Sequence, residues 1–261
     1  MSRIVETEQP VIGAAPDGTS DASSASRAVR EMFTSIAPRY DLLNHVLSFN
    51  IDRLWWWRAA RTFAHVFSEP EARVLDLCCG TGDMTFALRK RAGKSNAEIL
   101  GADFSHAMLQ RARLKSLARV PKDIPATMLN WIEADALCLP FPNEYFNLVT
   151  SAFGFRNLAN YDGGLREILR VLKPGGECGI LDFSEPEGLM GRSYRIYFKR
   201  VLPSIGTLIS GVSGPYAYLP NSVERFPKPD EMLERMRHAG FREASWTPYT
   251  FGIAGLYRGN K

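Results

Sequence analysis

From Arg73 to Tyr257 short apolar runs alternate with helix-like stretches, and this alternation limits the chain to few folds. Arg73–Cys78, Glu98–Phe104, Met128–Ala134, Phe146–Phe153 and Glu177–Phe183 read as strands. Gly82–Arg91, Ser105 to about Arg119, Tyr161–Leu172 and Pro229–Ala239 read as helices between or after them. Ser105 is a suitable N-cap, Pro174-Gly175-Gly176 a stop, and Pro229 and Gly240 bracket the last helix. Strands and helices alternating at this spacing predict a parallel sheet covered on both faces. Arg242–Pro248 and Phe251–Tyr257 lie too close for a crossover helix. They predict a hairpin, which makes one strand antiparallel.

The 261 residues suit one α/β domain with a tail. Residues 1–26, rich in Ser, Ala, Asp, Gly and Pro, read as a disordered tail, and 27–261 as a single domain. Within it 27–67 forms a helical cap interrupted at Pro38, and 188–225 a lid-like insertion. The first 26 residues have neither the basic start nor the apolar run of a secretory leader. Cys78, Cys79, Cys138 and Cys178 form no C-x-x-C pair. Reduced thiols and a cytoplasmic location are therefore expected. A net charge of +4 is too small an excess to argue for nucleic acid. His45, His65, His106 and His238 have no metal-ligand spacing, so no metal is expected.

In an open α/β sheet, ligands bind at the carboxyl ends of the strands. Val74-Leu75-Asp76-Leu77-Cys78-Cys79-Gly80-Thr81-Gly82-Asp83 occupies that place after the first strand. Gly80 and Gly82 allow close approach of backbone to ligand. A dinucleotide fingerprint needs a third glycine where Thr85 stands, which disfavours a nicotinamide cofactor. An S-adenosylmethionine loop instead places an acid before the glycines for the amino-acid end of a cationic ligand, and Asp76 supplies one. Asp103, 21 residues beyond Gly82, ends the second strand, where a carboxylate accepts ribose hydroxyls. Asp135 and Ala136 follow the third strand and suit the adenine.

These residues resemble the UbiE/MenG quinone C-methyltransferases over nearly the whole chain after residue 27. The likeness rests on Met32-Phe33, Ile36-Ala37, Tyr40-Asp41, Asn44 and Leu47-Ser48 near the start, on Asp76–Asp83, and on Asp103-Phe104-Ser105. Phe153-Gly154-Phe155-Arg156-Asn157 is its most specific piece, and Leu172–Gly176 its least. The resemblance implies a Rossmann-like class I methyltransferase fold, a seven-stranded sheet with an antiparallel last strand. It implies Thr81, Asp103, Asp135 and Ala136 as cofactor contacts. It also implies methylation of a polyprenylated hydroquinone, most simply demethylmenaquinol, with a polyprenyl benzoquinol or another hydrophobic phenol as alternatives. Asn50 departs from the glycine usual in the family. Ala152 stands where some members have Ser, and Asn147 and Asp182 replace the more usual Asp and Glu.

An aromatic carbon becomes nucleophilic when the neighbouring hydroxyl ionises. Bringing a phenol from about 10 to neutrality needs roughly 4 kcal/mol. A fixed cation could supply much of it. Arg156 is the candidate, with Asn157 orienting the oxygen; its rival reading is a salt bridge holding the loop. The proton acceptor is a water held by Arg156, or Tyr40, Asp41 or His45. Residues 189–220 hold Arg192, Arg195, Lys199 and Arg200 and no acid. They suit a lid on an anionic membrane surface, a solvated helix face or a subunit contact in a homodimer. Trp55-Trp56-Trp57 is an interfacial anchor or a core plug. An S-adenosylmethionine-binding protein without chemistry is the rival of another class, and the intact Phe153–Asn157 run speaks against it.

Overall fold

The computed structural model describes residues 12–16, 18–41, 48, 50–120, 125, 128–186 and 215–261. Its strands are β1 (Arg73–Leu77), β2 (Glu98–Asp103), β3 (Leu129–Glu133), β4 (Phe146–Ala152), β5 (Leu172–Phe183), β6 (Arg242–Tyr249) and β7 (Ala254–Asn260). They form one sheet in the order β3-β2-β1-β4-β5-β7-β6. The neighbours from β3 to β5 pair in parallel, and β7 runs antiparallel to both β5 and β6. From β1 the chain first winds outward to β2 and β3, then crosses back to β4 and β5. The strand order therefore reverses between β1 and β4, which is where such sheets bind ligands.

The helices are α1 (Ala22–Ile36), α2 (Ile51–Thr62), α3 (Asp83–Ala92), α4 (His106–Arg119), α5 (Tyr161–Val171), α6 (Pro215–Arg225) and α7 (Pro229–Ala239). Successive strand residues face opposite sides, so β1 feeds both cores. Val74 packs with Trp55, Phe63 and Leu88 on one face. Leu75 packs with Leu165, Ile168 and Met236 on the other. This double covering explains why the central strands read as continuous apolar runs.

Three boundaries differ from the sequence reading. Pro174-Gly175-Gly176 does not separate α5 from β5, because the strand begins at Leu172 and carries these residues in a bulge. The register shifts there between the Phe146 and Leu148 pairs, and Gly175 takes a φ of +78°. The hairpin strand starts at Ala254 rather than Phe251, because Thr250, Phe251 and Gly252 all have positive φ and form the turn. The expected featureless stretch to residue 26 already contains the start of α1. Asp21 caps that helix, accepting from the Ser24 amide at 2.8 Å while the Asp21 amide donates to Ser24 Oγ at 3.2 Å. Upstream, the buried Ala14 donates its amide to the Leu158 carbonyl at 2.8 Å.

Pro38 does end the first helix: Ile36 is its last residue and a 3-10 turn follows over Ala37–Arg39. The tryptophan cluster divides. Trp55 is 3% exposed, packed by Phe153 and Phe183, and donates to Thr250 Oγ1 at 2.8 Å. Trp57 is 50% exposed, with Arg61 over its ring. Most of the lid-like insertion, 187–214, lies outside the described residues, as does His45. The remainder forms α6, whose Ser222 and Val223 are buried.

Asn50 sits directly before α2 at φ 60° and ψ 12°, the left-handed region. Asn tolerates this conformation better than other residues with a side chain. Asn50→Ala is expected to cost about 1 kcal/mol, and Asn50→Gly clearly less, in urea unfolding. Equal losses would contradict a conformational role.

Candidate active site

The chain after β1 is built from left-handed residues. Cys78 has φ 54°, Gly80 56° and Gly82 89°. The two glycines serve different ends. A Cβ on Gly80 would meet only Tyr40 Cε1, at 3.8 Å, so this position opens onto the cavity. A Cβ on Gly82 would fall 2.4 Å from Trp131 Cη2. Gly82 thus makes room for Trp131, and its expected role of admitting a ligand is corrected to packing. Across the switch point, a Cβ on Gly154 would fall 2.4 Å from Cys78 Cβ, so the loops after β1 and β4 touch. Phe153, beside it, is also left-handed at φ 58°. Such strain in a bulky residue persists only where packing imposes it, here against Trp55 and Phe183.

The cavity at this point encloses about 680 Å³ of empty space including its mouth. Its lining includes Gly80, Asp103, Asp135 and Ala136 together with Phe33, Tyr40, Phe153 and Asn157. Asp103 Oδ2 accepts from the Gly80 amide at 2.8 Å and Oδ1 from the Ser105 amide at 2.8 Å. Burial outweighs these bonds and raises its carboxyl to about 6. Ser105 precedes α4, but its side chain makes no cap bond and instead meets Thr34 Oγ1 of α1 at 3.1 Å. Asp135 stays exposed and accepts from the Leu137 amide at 2.9 Å.

Asp76 is placed otherwise than expected. It is fully buried beneath the loop, accepting from Thr85 Oγ1 and, at 2.9 Å, from Thr150 Oγ1. It does not line the cavity, so the expected direct hold on a ligand's amino-acid end is corrected to support of the loop. Burial raises its carboxyl to about 7, and the charge of Asp103 adds to the effect. Thr81 is 1% exposed and likewise lies outside the lining; its hydroxyl donates to Asp41 Oδ1. Asp41 is further held by Lys115, 3.1 Å from Oδ2. Asp41 does not line the cavity, so it is not placed to take a proton from a group bound there.

Arg156 takes the salt-bridge reading. It is 5% exposed, and its Nη1 donates to Asp182 Oδ1 at 2.9 Å and to the Phe153 carbonyl. Its backbone amide also donates to Asp182 Oδ2 at 3.1 Å. The guanidinium lies behind the cavity wall, whereas its neighbour Asn157 lines the cavity. Asn157 Oδ1 accepts from the hydroxyl of Tyr218 on α6 at 3.2 Å. Burial lifts the Tyr218 phenol to about 12, so it remains a donor at neutral pH. No motif pointed to Tyr218 or Lys115. Both act across large sequence separations that leave no local pattern.

A sheet of this order, with an acid-lined glycine cradle at its switch point, defines a Rossmann-like class I methyltransferase fold. Solved structures agree: a methyltransferase from Thermotoga maritima superposes with a TM-score of 0.61 at 20% identity over 88% of this chain and 99% of its own. The cyclase SpnF gives 0.65 at 18% identity over 97% and 99%. Sequence comparison narrows the class: the chain belongs to the ubiE/COQ5 methyltransferase family, whose profile matches residues 21–261. It is 47% identical to the demethylmenaquinone methyltransferase of Deinococcus radiodurans, over 92% of this chain and 95% of that one. Identity is also 47% to the Thermus thermophilus enzyme of the same name, over 88% and 100%. It is 44% to a ubiquinone/menaquinone C-methyltransferase of Geobacter sulfurreducens, over 89% and 88%. The chain is therefore a methyltransferase using S-adenosylmethionine. The open Gly80 cradle and the acids Asp103 and Asp135 fit a cationic nucleoside.

The raised Asp76 carboxyl has a consequence for stability. The folded state keeps this proton up to about pH 7, while the unfolded chain loses it near 3.8. Its contribution is therefore present in acid and is lost as pH rises through 7. Between about pH 4 and pH 8 the native protein should lose on the order of 4 kcal/mol more unfolding free energy than Asp76→Asn. Parallel pH profiles for the two proteins in urea unfolding would contradict the assignment.

Proposed function

We propose that the chain methylates a ring carbon of a polyprenylated hydroquinone, converting demethylmenaquinol to menaquinol. The observation that carries this reading is one cavity with two characters. Its lining combines polar groups at Gly80, Asp103, Asp135 and Asn157 with the apolar Phe33, Phe104, Phe153 and Leu158. A flat aromatic substrate fits such a lining, with apolar contacts and a polar anchor. The names of the Deinococcus and Thermus relatives support the naphthoquinol.

In this reading Asp103 accepts the ribose hydroxyls, Asp135 and Ala136 hold the adenine, and Gly80 gives close backbone approach. The bound cofactor supplies an electrophilic methyl on a sulfonium. The protein must supply a favourable site for the quinol oxygen as it ionises. Asn157 lines the cavity, and its side-chain amide can donate to that oxygen. Arg156, neutralised in part by Asp182, acts behind Asn157 as a fixed dipole, and Tyr218 fixes the Asn157 amide. Tyr40 closes the opposite side. Arg156→Ala is a poor probe, because it strands Asp182 in the interior at a cost of about 3–5 kcal/mol.

Benzoquinol methylation is the second reading, favoured by the double name of the Geobacter relative. We place the protein in the cytoplasm, at the inner face of the membrane that carries its lipid substrate. Exposed Leu54, Trp57 and Phe251 beside basic Arg53 and Arg61 support such a contact. Among the described residues no helix is long and apolar enough to cross a membrane.

The test is transfer of labelled methyl from S-adenosylmethionine to reduced demethylated naphthoquinone, with a benzoquinol in parallel. Transfer to neither quinol would refute the reading. Asn157→Ala should lower turnover about 10- to 100-fold, the loss of one hydrogen bond to a developing charge. Its affinity for S-adenosylmethionine should be unchanged. Unaltered turnover would remove Asn157 from the chemistry.

A further inference from the structure

Lys115 belongs to no motif, yet three separate parts of the chain meet on its ammonium group. Nζ lies 3.1 Å from Asp41 Oδ2, 3.0 Å from Thr81 Oγ1 and 2.9 Å from Asp83 Oδ1. An ammonium has three protons, and here each finds an acceptor. Thr81 donates its own hydroxyl hydrogen bond to Asp41, and Arg119, one turn along α4, lies 2.7 Å from Asp83. Two cations thus face two carboxylates. The Lys115 and Asp83 side chains are only 15% and 11% exposed, so solvent screens this group less than a surface pair.

The position of the group gives it a use. Asp41 follows α1 and the turn after it, and its neighbour Tyr40 is the residue whose ring lies over Gly80. Phe33 and Tyr40 meet edge to face at 6.0 Å and line the cavity from the same side. Lys115 itself does not touch the cavity. With the direct Thr81–Asp41 bond it ties the segment carrying Tyr40 to the glycine loop.

We infer that Lys115 is a positioning residue for the cofactor site: by clasping Asp41 to Thr81 and Asp83 it holds Tyr40 across Gly80 and closes the cavity over the bound nucleoside. Closure by a clasp differs in its signature from electrostatic attraction. Removing a cation from near the site would by field alone tighten binding of a sulfonium. Removing a clasp loosens it, and does so equally for a neutral analogue.

The full-length protein can be titrated with S-adenosylmethionine and with neutral S-adenosylhomocysteine in a calorimeter. Lys115→Met is expected to raise both dissociation constants about tenfold, and Asp41→Asn to do the same. The double variant should be no weaker than the weaker single one, because both changes open one clasp. Lys115→Arg should recover most of the affinity. Unchanged affinity in Lys115→Met with a lower unfolding midpoint would show a merely structural bond and overturn the proposal. Additive losses, or tighter binding of the cationic ligand, would overturn it as well. If Lys115→Met does not fold, Asp41→Asn carries the same expectation and the same refutation. Absence of binding by the native protein would refute the cofactor site itself, and the clasp with it.

Discussion

The buried carboxyl of Asp76 joins the three elements from which the site is made. It stands on β1, takes the hydroxyl of Thr85 from α3 and takes that of Thr150 from β4. Because it is fully enclosed, losing either donor would leave a polar group unpaired in the interior, which costs more than an ordinary hydrogen bond contributes. The bonds set the height at which the glycine loop leaves the sheet. They also hold β4 in register beside β1, so that Gly154 can rest against Cys78.

Around this rigid centre the remaining walls come from distant parts of the chain. α1 and the turn after it reach the carboxyl edge of the sheet and contribute Phe33 and Tyr40. They are tied down by polar links: Thr34 to Ser105, Arg30 to Glu133, and Asp41 to Lys115. On the opposite side Tyr218 reaches Asn157 from α6. The Arg156–Asp182 pair anchors the loop between them. Like other buried pairs, it is better evidence of a specified geometry than of added stability.

Much of this was legible in the residues. The strand and helix alternation, the loop after β1 and the acids ending β2 and following β3 are local patterns, and the fold followed from them. The family motifs pointed to Arg156 and Asn157, but not to which of the two faces the cavity. Asp76 was read as a ligand-holding acid because its spacing to the glycines is the same whether it points up into the site or down into the core. The Asp21-x-x-Ser24 box caps α1 inside a stretch whose composition alone suggests no structure. Lys115 and Tyr218 could not be found by spacing, since their partners lie 74 and 61 residues away.

The sequence by itself determined the class of sheet, the position of the nucleoside loop and the family, because hydrophobic period, glycine placement and contiguous motifs are properties of neighbouring residues. The tertiary structure decided which polar groups face the cavity and which are consumed in the interior. That division depends on burial and on partners brought together by the crossovers. The Asp76 carboxyl, with donors from Thr85 and Thr150 already in place inside the protein, has little left to offer a ligand.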